Sequence, residues 1–270
     1  MKKGSRILFL LLASTIGVRA QQPAPRTGPP ASELPPILRE VGFDQNLNKQ
    51  LPLDTSFSDE SGAPVQIGQY FGSRPVVLNF VYYDCPMICL QTLSSLASTL
   101  KVLSQEPGRD FEIVTVSFDP RETPALALTK KQEMVARSGK PQVAAGWHFL
   151  TGDKSSIDRL TNAAGFRYVW DEDAKQFAHP TGIIILTPSG TITRYLFGID
   201  YGPRDLRLAI LDTSAGKVGS PIERALLYCY HYDIATGRYS LAIMRTVQVA
   251  GLATVVSIGM LIFVMSKRGS

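Results

Sequence analysis

Residues 76–89 read Val76-Val77-Leu78-Asn79-Phe80-Val81-Tyr82-Tyr83-Asp84-Cys85-Pro86-Met87-Ile88-Cys89. The first eight are apolar or aromatic apart from Asn79, which is the pattern of a strand buried on both faces of a sheet. After the turn the period changes. Leu93, Leu96, Ala97, Leu100 and Leu103 recur at the spacing of one helix face. A strand that ends in two thiols, with a helix starting at the second, points to chemistry rather than packing. The spacing is Cys-x-x-x-Cys, one residue longer than the thioredoxin-type redox pair. Thiols just before and inside a first helical turn lie near the positive end of the helix dipole, which favours thiolate over thiol.

Asp59-Glu60-Ser61-Gly62 before Val65-Gln66-Ile67 reads as a hairpin turn into a short strand. Residues 111–117 form a second strong strand, ended by Phe118-Asp119-Pro120. Thr123-Pro124 opens a helix to about Ser138, with threonine at the cap and proline in the first turn. A short strand over 146–150 and a helix over 155–164 follow. Two strands, 182–186 and 191–196, flank Thr187-Pro188-Ser189-Gly190 as a hairpin, and residues 203–213 form a last helix. This alternation predicts an α/β fold, a thioredoxin-like central mixed sheet flanked by helices, over residues 51–214.

The ends of the chain read differently. Residues 1–20 carry Lys2, Lys3 and Arg6, a short apolar run and small residues before Gln21, the pattern of a secretory signal peptide. Residues 21–50 are expected to be a linker, with six prolines between Gln21 and Pro36. Residues 215–240 read as a juxtamembrane segment, 241–265 as a transmembrane helix and 266–270 as a cytoplasmic tail. Within the span, residues 247–265 have Gln248 as their only strongly polar side chain, and Lys267 and Arg268 follow. The net charge of +5 is then a targeting effect. Without the four basic residues of the leader and the two of the tail, the external part carries −1. Nucleic-acid binding gains no support from charge. The expected location is the bacterial cytoplasmic membrane, single-pass, with the main domain on the periplasmic side.

Export also places the three cysteines where disulfides persist unless reduced. The pair alone leaves disulfide exchange, metal binding and an inert bridge open. His179 adds a third donor, because it precedes the strand at 182–186 and that loop should face the start of the cysteine-bearing helix. Two thiolates and an imidazole suit Cu(I), and Cu(II) with an added ligand; zinc is the rival metal. His148, inside an apolar run beside Trp147, reads as a packing residue. Cys229 and His231 form a Cys-x-His unit and a weaker candidate for a second site.

Four blocks, in order, resemble the Sco/SenC family. They are Tyr82 to Cys89, then Val114-Thr115-Val116-Ser117-Phe118-Asp119-Pro120-Arg121-Glu122-Thr123, Trp147-His148-Phe149-Leu150-Thr151-Gly152, and the isolated His179. The resemblance implies a thioredoxin-like domain that binds one copper ion, as Cu(I) or Cu(II), through Cys85, Cys89 and His179. It implies a part in building the copper centre of cytochrome c oxidase, with subunit II or a similar copper-accepting protein as partner. Asp119 matches an acidic position near the site. The C-terminal anchor departs from the N-terminal one of the better-known members and resembles a bacterial subgroup. Such a protein is a metallochaperone more than an enzyme.

A membrane-tethered copper metallochaperone is therefore the leading expectation. The alternative is an extracytoplasmic thiol–disulfide oxidoreductase in which Cys85 and Cys89 are a redox-active pair that reduces partner cysteines. A thiol peroxidase is disfavoured, because Tyr82 stands where such enzymes place threonine or serine.

Overall fold

The computed structural model describes residues 36–85 and 88–216, together with residues 232–233, 238–239, 251, 254, 257, 258 and 260. In chain order, α1 (Pro36–Glu40) leads into β1 (Gly42–Phe43), β2 (Ser56–Ser58) and β3 (Pro64–Gln66). Next come β4 (Val76–Val81), α2 (Ile88–Val102), β5 (Glu112–Ser117), α3 (Pro124–Ser138), β6 (Trp147–Leu150) and α4 (Lys154–Ala163). Two small strands, β7 (Phe166–Arg167) and β8 (Val169–Asp171), precede β9 (Gln176–Ala178), β10 (Gly182–Leu186), β11 (Ile192–Phe197) and α5 (Pro203–Ser214).

Five strands make the central sheet in the order β11-β10-β4-β5-β6. β4, β5 and β6 run parallel, whereas β10 is antiparallel to both β4 and β11. The sheet is mixed, as the alternation of elements predicted. Every residue of β4, β5 and β10 is buried, so these strands have no polar face to alternate. α2 lays Leu93, Leu96, Ala97 and Leu100 into the core, each at most 1% exposed. α3 packs against α2 and β6, and α5 against α2 and β10.

Local signals explain the helix limits. Thr123 caps α3 by accepting from the Leu126 N–H, and Pro124 occupies the first turn. Gly139 ends it at φ 66°, a left-handed conformation that glycine adopts without steric cost. Asp153 caps α4 through the Ser156 N–H at 2.7 Å.

Two features were not expected. Phe43 and Gly42 pair with Phe166 and Arg167, and the Asp44 N–H donates to the Gly165 carbonyl. Packed contacts therefore begin ahead of Leu51. The polar stretch before His179 is a further β-hairpin, β8–β9, rather than a plain loop. Its strands have three residues each, and the Asp171-Glu172-Asp173-Ala174-Lys175 turn contains no glycine or proline to announce it. Lys175 takes the left-handed conformation itself, at φ 52°.

Among the described residues no helix is long and apolar enough to cross a membrane. The expected leader lies outside them, as does the expected span apart from the five isolated helical residues 251, 254, 257, 258 and 260. Cys229 and His231 also lie outside the described residues.

Candidate metal centre

The cysteine-bearing turn sits at the carboxyl end of β4, between its parallel neighbour β5 and its antiparallel neighbour β10. Cys85 is half-buried there, one turn ahead of α2. Cys89 is the second residue of α2, within the first helical turn, as expected; its side chain is not among those described.

Sheet register brings His179 to the same place. Ile183 of β10 lies opposite Asn79 of β4 in antiparallel pairing. Stepping back four residues from Ile183 moves forward four from Asn79, which carries His179 to the level of Tyr83. The ring contacts agree with this placement. His179 is half-buried against Tyr82 (centroids 5.9 Å apart), Phe118 (5.1 Å) and Phe166 (6.3 Å). Tyr82 and Phe118 are 7% and 0% exposed, so the imidazole stands on an apolar, water-poor wall.

The tautomer of His179 follows from its neighbour. Nδ1 lies 2.9 Å from the Pro180 carbonyl, which can only accept. In the neutral ring the proton is therefore on Nδ1 and the lone pair on Nε2, an arrangement that metal-binding histidines commonly adopt. Pro180 thus supplies the orienting carbonyl. A sulfur donor and an imidazole beside an aromatic wall are donor types that fit a soft monovalent metal. Among the described residues no three His, Cys, Asp or Glu side chains converge as a metal cluster. Cys89, the third expected donor, is not among the side chains in that set.

Asp119 takes its place at the carboxyl end of β5. It is 5% exposed and forms a two-pronged ion pair with Arg121, with Nη2–Oδ2 at 2.6 Å and Nε–Oδ1 at 2.8 Å. Its carboxylate also accepts from the Arg121 N–H at 3.0 Å, so it closes the Asp119-Pro120-Arg121 turn. The Arg121 guanidinium in turn lies 4.8 Å from the ring centroid of Trp170 and 5.6 Å from that of Phe177. Asp119 and Arg121 thereby tie the β5–α3 turn to the hairpin that delivers His179.

Sequence reasoning missed Glu122. Its carboxylate accepts from the backbone N–H of Tyr83 (2.8 Å) and of Asp84 (2.7 Å), and from the Ser117 hydroxyl (2.5 Å). Burial pushes this carboxyl above its ordinary range, and the three donors oppose the rise. From below, the turn is pinned by Tyr83, whose hydroxyl reaches the Leu150 carbonyl at 2.8 Å and the Thr115 carbonyl at 3.2 Å. Complete burial holds the Tyr83 phenol well above its usual range, so it stays a neutral donor. The only signal for Glu122 was its place in the quoted Asp-Pro-Arg-Glu-Thr block. An open cleft of about 670 Å³, lined among others by Asp84, Arg121, Thr123, Trp170 and Gln176, adjoins the turn.

The sequence profile of the SCO1/SenC family matches residues 45–208, most of the chain and all of the central sheet. This protein belongs to the SCO1/SenC family. A curated relative from Stutzerimonas stutzeri, named "Putative copper-binding protein", is 25% identical over 124 residues. The match covers 44% of this chain and 56% of that protein, so the chain spans about half the length of the curated relative it matches. Among solved structures, a "putative electron transfer protein" from Aquifex aeolicus VF5 superposes with a TM-score of 0.56 at 25% identity. The overlap covers 64% of this chain and 96% of that one. BsSco, described as a member of the Sco family of cytochrome c oxidase assembly proteins with a disulfide switch, gives 0.51 at 21% identity. That overlap is 65% of this chain and 99% of BsSco, and it establishes the shared thioredoxin-like fold. This member of the family thus joins the expected fold to a candidate site at the carboxyl ends of β4 and β5.

Proposed function

We propose that this protein is a copper metallochaperone that holds one copper ion per domain between Cys85, Cys89 and His179. The observation that carries the reading is the shared wall of the site. Tyr82 leads by three residues into Cys85 and packs its ring on His179. Membership of the SCO1/SenC family and the copper-binding name of the Stutzerimonas stutzeri relative support the metal.

Copper is cargo here. When bound it supplies an exchangeable soft cation; the chain's residues hold and orient the donors. The dipole of α2 favours thiolate at Cys85 and Cys89. Pro180 fixes the His179 tautomer. Phe118, Phe166 and Tyr82 exclude water from the imidazole face, which slows exchange with solvent. The cleft beside Asp84 and Arg121 leaves the cysteine turn open to a partner. The partner proposed is cytochrome c oxidase subunit II or a similar copper-accepting protein, met outside the cytoplasmic membrane. Residues 1–20 would direct export, and a helix within residues 241–265 would hold the protein at that membrane.

Copper titration of the full-length reduced protein tests this reading. Wild type should bind one equivalent and show thiolate-to-Cu(II) absorption, and Cys85→Ser, Cys89→Ser and His179→Ala should each lose it. Equal copper affinity in His179→Ala would refute the ligand set, and a preference for zinc over copper would refute the metal. A second reading, a thiol–disulfide oxidoreductase, draws on the position of both cysteines at the start of α2. It predicts that His179→Ala keeps full dithiol exchange activity.

A further inference from the structure

From the geometry of the β5–α3 turn we infer that Glu122 is a positioning residue, which presents Cys85 by clamping the two peptide groups that precede it. The inference rests on the reading of Cys85 as a ligand and deepens it. Glu122 touches no proposed ligand. It acts through the backbone, 38 and 39 positions earlier in the chain.

The carboxylate is divided between its donors. Oε2 accepts from Tyr83 N–H and Ser117 Oγ, while Oε1 accepts from Asp84 N–H. Two successive N–H groups pointing at one carboxylate fix the backbone orientation of the turn and so the direction in which Cys85 leaves it. Tyr83 reinforces this from the other side, its side chain bonded to carbonyls of β5 and β6. Among the described residues no neighbouring group in this network duplicates the clamp, because Asp119 is engaged by Arg121 and Ser117 is itself a donor to Glu122.

Glutamine cannot reproduce the arrangement. A carboxamide has one acceptor oxygen, and its NH₂ would face one of the two backbone N–H donors. Glu122→Gln must therefore release at least one amide of the turn. Ser117→Ala removes a donor from Glu122 but leaves both backbone bonds, so it serves as the control.

The test combines amide hydrogen exchange and copper binding on the full-length reduced protein. In Glu122→Gln the Tyr83 or Asp84 amide should exchange at least about tenfold faster, and copper affinity should fall about 10–100-fold, as for other groups that orient metal ligands. The thiolate-to-Cu(II) band should shift as well, which a loss of global stability alone would not cause. Ser117→Ala should keep affinity within about threefold. Unchanged exchange of both amides, or unchanged copper affinity and spectrum once they are released, overturns the inference. If Glu122→Gln does not fold, Glu122→Asp, too short by one methylene to span both donors, carries the same expectations. If wild type takes up no copper, the copper reading fails by itself. Glu122 is then judged on the rate at which Cys85 reacts with a small disulfide, which must change by about threefold or more in Glu122→Gln for the clamp to stand.

Discussion

The two ends of the parallel strands contain nearly the same kinds of residue and use them differently. At the amino ends of β5 and β6, Glu112 accepts from Arg74 at 2.6 Å and lies 3.3 Å from His148 Nε2. Tyr70 stacks on His148 at 4.2 Å. At the carboxyl ends stand Asp119, Glu122, Arg121, His179 and Tyr82, together with Cys85. His148 has its Nε2 committed to a carboxylate and its face to a ring, the packing role expected of it. His179 has its Nδ1 committed to a carbonyl and approaches a thiol-bearing turn at a helix start. Having a histidine near a carboxylate therefore does not make a site. The end that carries the candidate site differs in its thiol-bearing turn at the start of α2.

This contrast can be broken most severely through the aromatic wall. Phe118 is fully buried and touches Tyr82, Phe166, Tyr168 and His179. Phe118→Ala should cost about 3–5 kcal/mol. Thermal unfolding should then show a Tm lower by about 2–4 °C for each kcal/mol. A loss below about 1 kcal/mol would mean that the wall is not a packed unit.

The histidines test the comparison directly. His179→Ala should weaken copper binding by at least about a hundredfold, roughly 2.7 kcal/mol. His148→Ala should leave it within about twofold and lower stability by about 1 kcal/mol. Competition titration against a chelator of known copper affinity reads both. Comparable losses in the two variants would erase the distinction between the ends.

A pH series sharpens the view of Glu122. Its folded pKa is raised, so between the ordinary carboxyl value and that raised value the folded state holds more proton than the unfolded one. Stability from this group therefore falls as pH rises through that window and is flat below and above it. Asp59, Asp110 and Asp153 are shifted the other way, so they contribute stability that is lost as pH falls. The difference in urea-unfolding free energy between wild type and Glu122→Gln isolates Glu122. It should decline from about pH 4 upward, and a rising difference would contradict burial as the dominant effect.

The smallest effect is expected at Arg121. Its side chain is 64% exposed, although it spans Asp119 and Trp170. Arg121→Ala should cost only about 0.5–1 kcal/mol in chemical denaturation. A cost of several kcal/mol would show that the link between turn and hairpin is stronger than an exposed contact allows.

Much of the fold was legible because its signals are local. The buried strands β4, β5 and β10 announce themselves as apolar runs, α2 by its leucine spacing, and α3 by Thr123 and Pro124. The unread features are all products of distant pairing. β1 finds β7, Trp170 finds Arg121, and Glu122 finds Tyr83 and Asp84, and nothing beside any of these residues in the chain says so. Three-residue strands such as β8 and β9 are too short for an alternation to stand out. Cys85 and His179 were legible as chemical types, whereas Glu122 resembled any surface glutamate before a helix.

By itself the sequence determined the spacing of the two thiols, the helix that begins at them and the strands that flank them. Those depend on side-chain period and capping, which act over a few residues. Only the tertiary structure decided which rings surround His179 and which carboxylate clamps the turn. Pairing β10 antiparallel to β4 carries His179 to the end of β4, and the parallel pairing of β5 with β4 carries Glu122 there from the opposite side. Such meetings are set by sheet order and register, which the whole core fixes together.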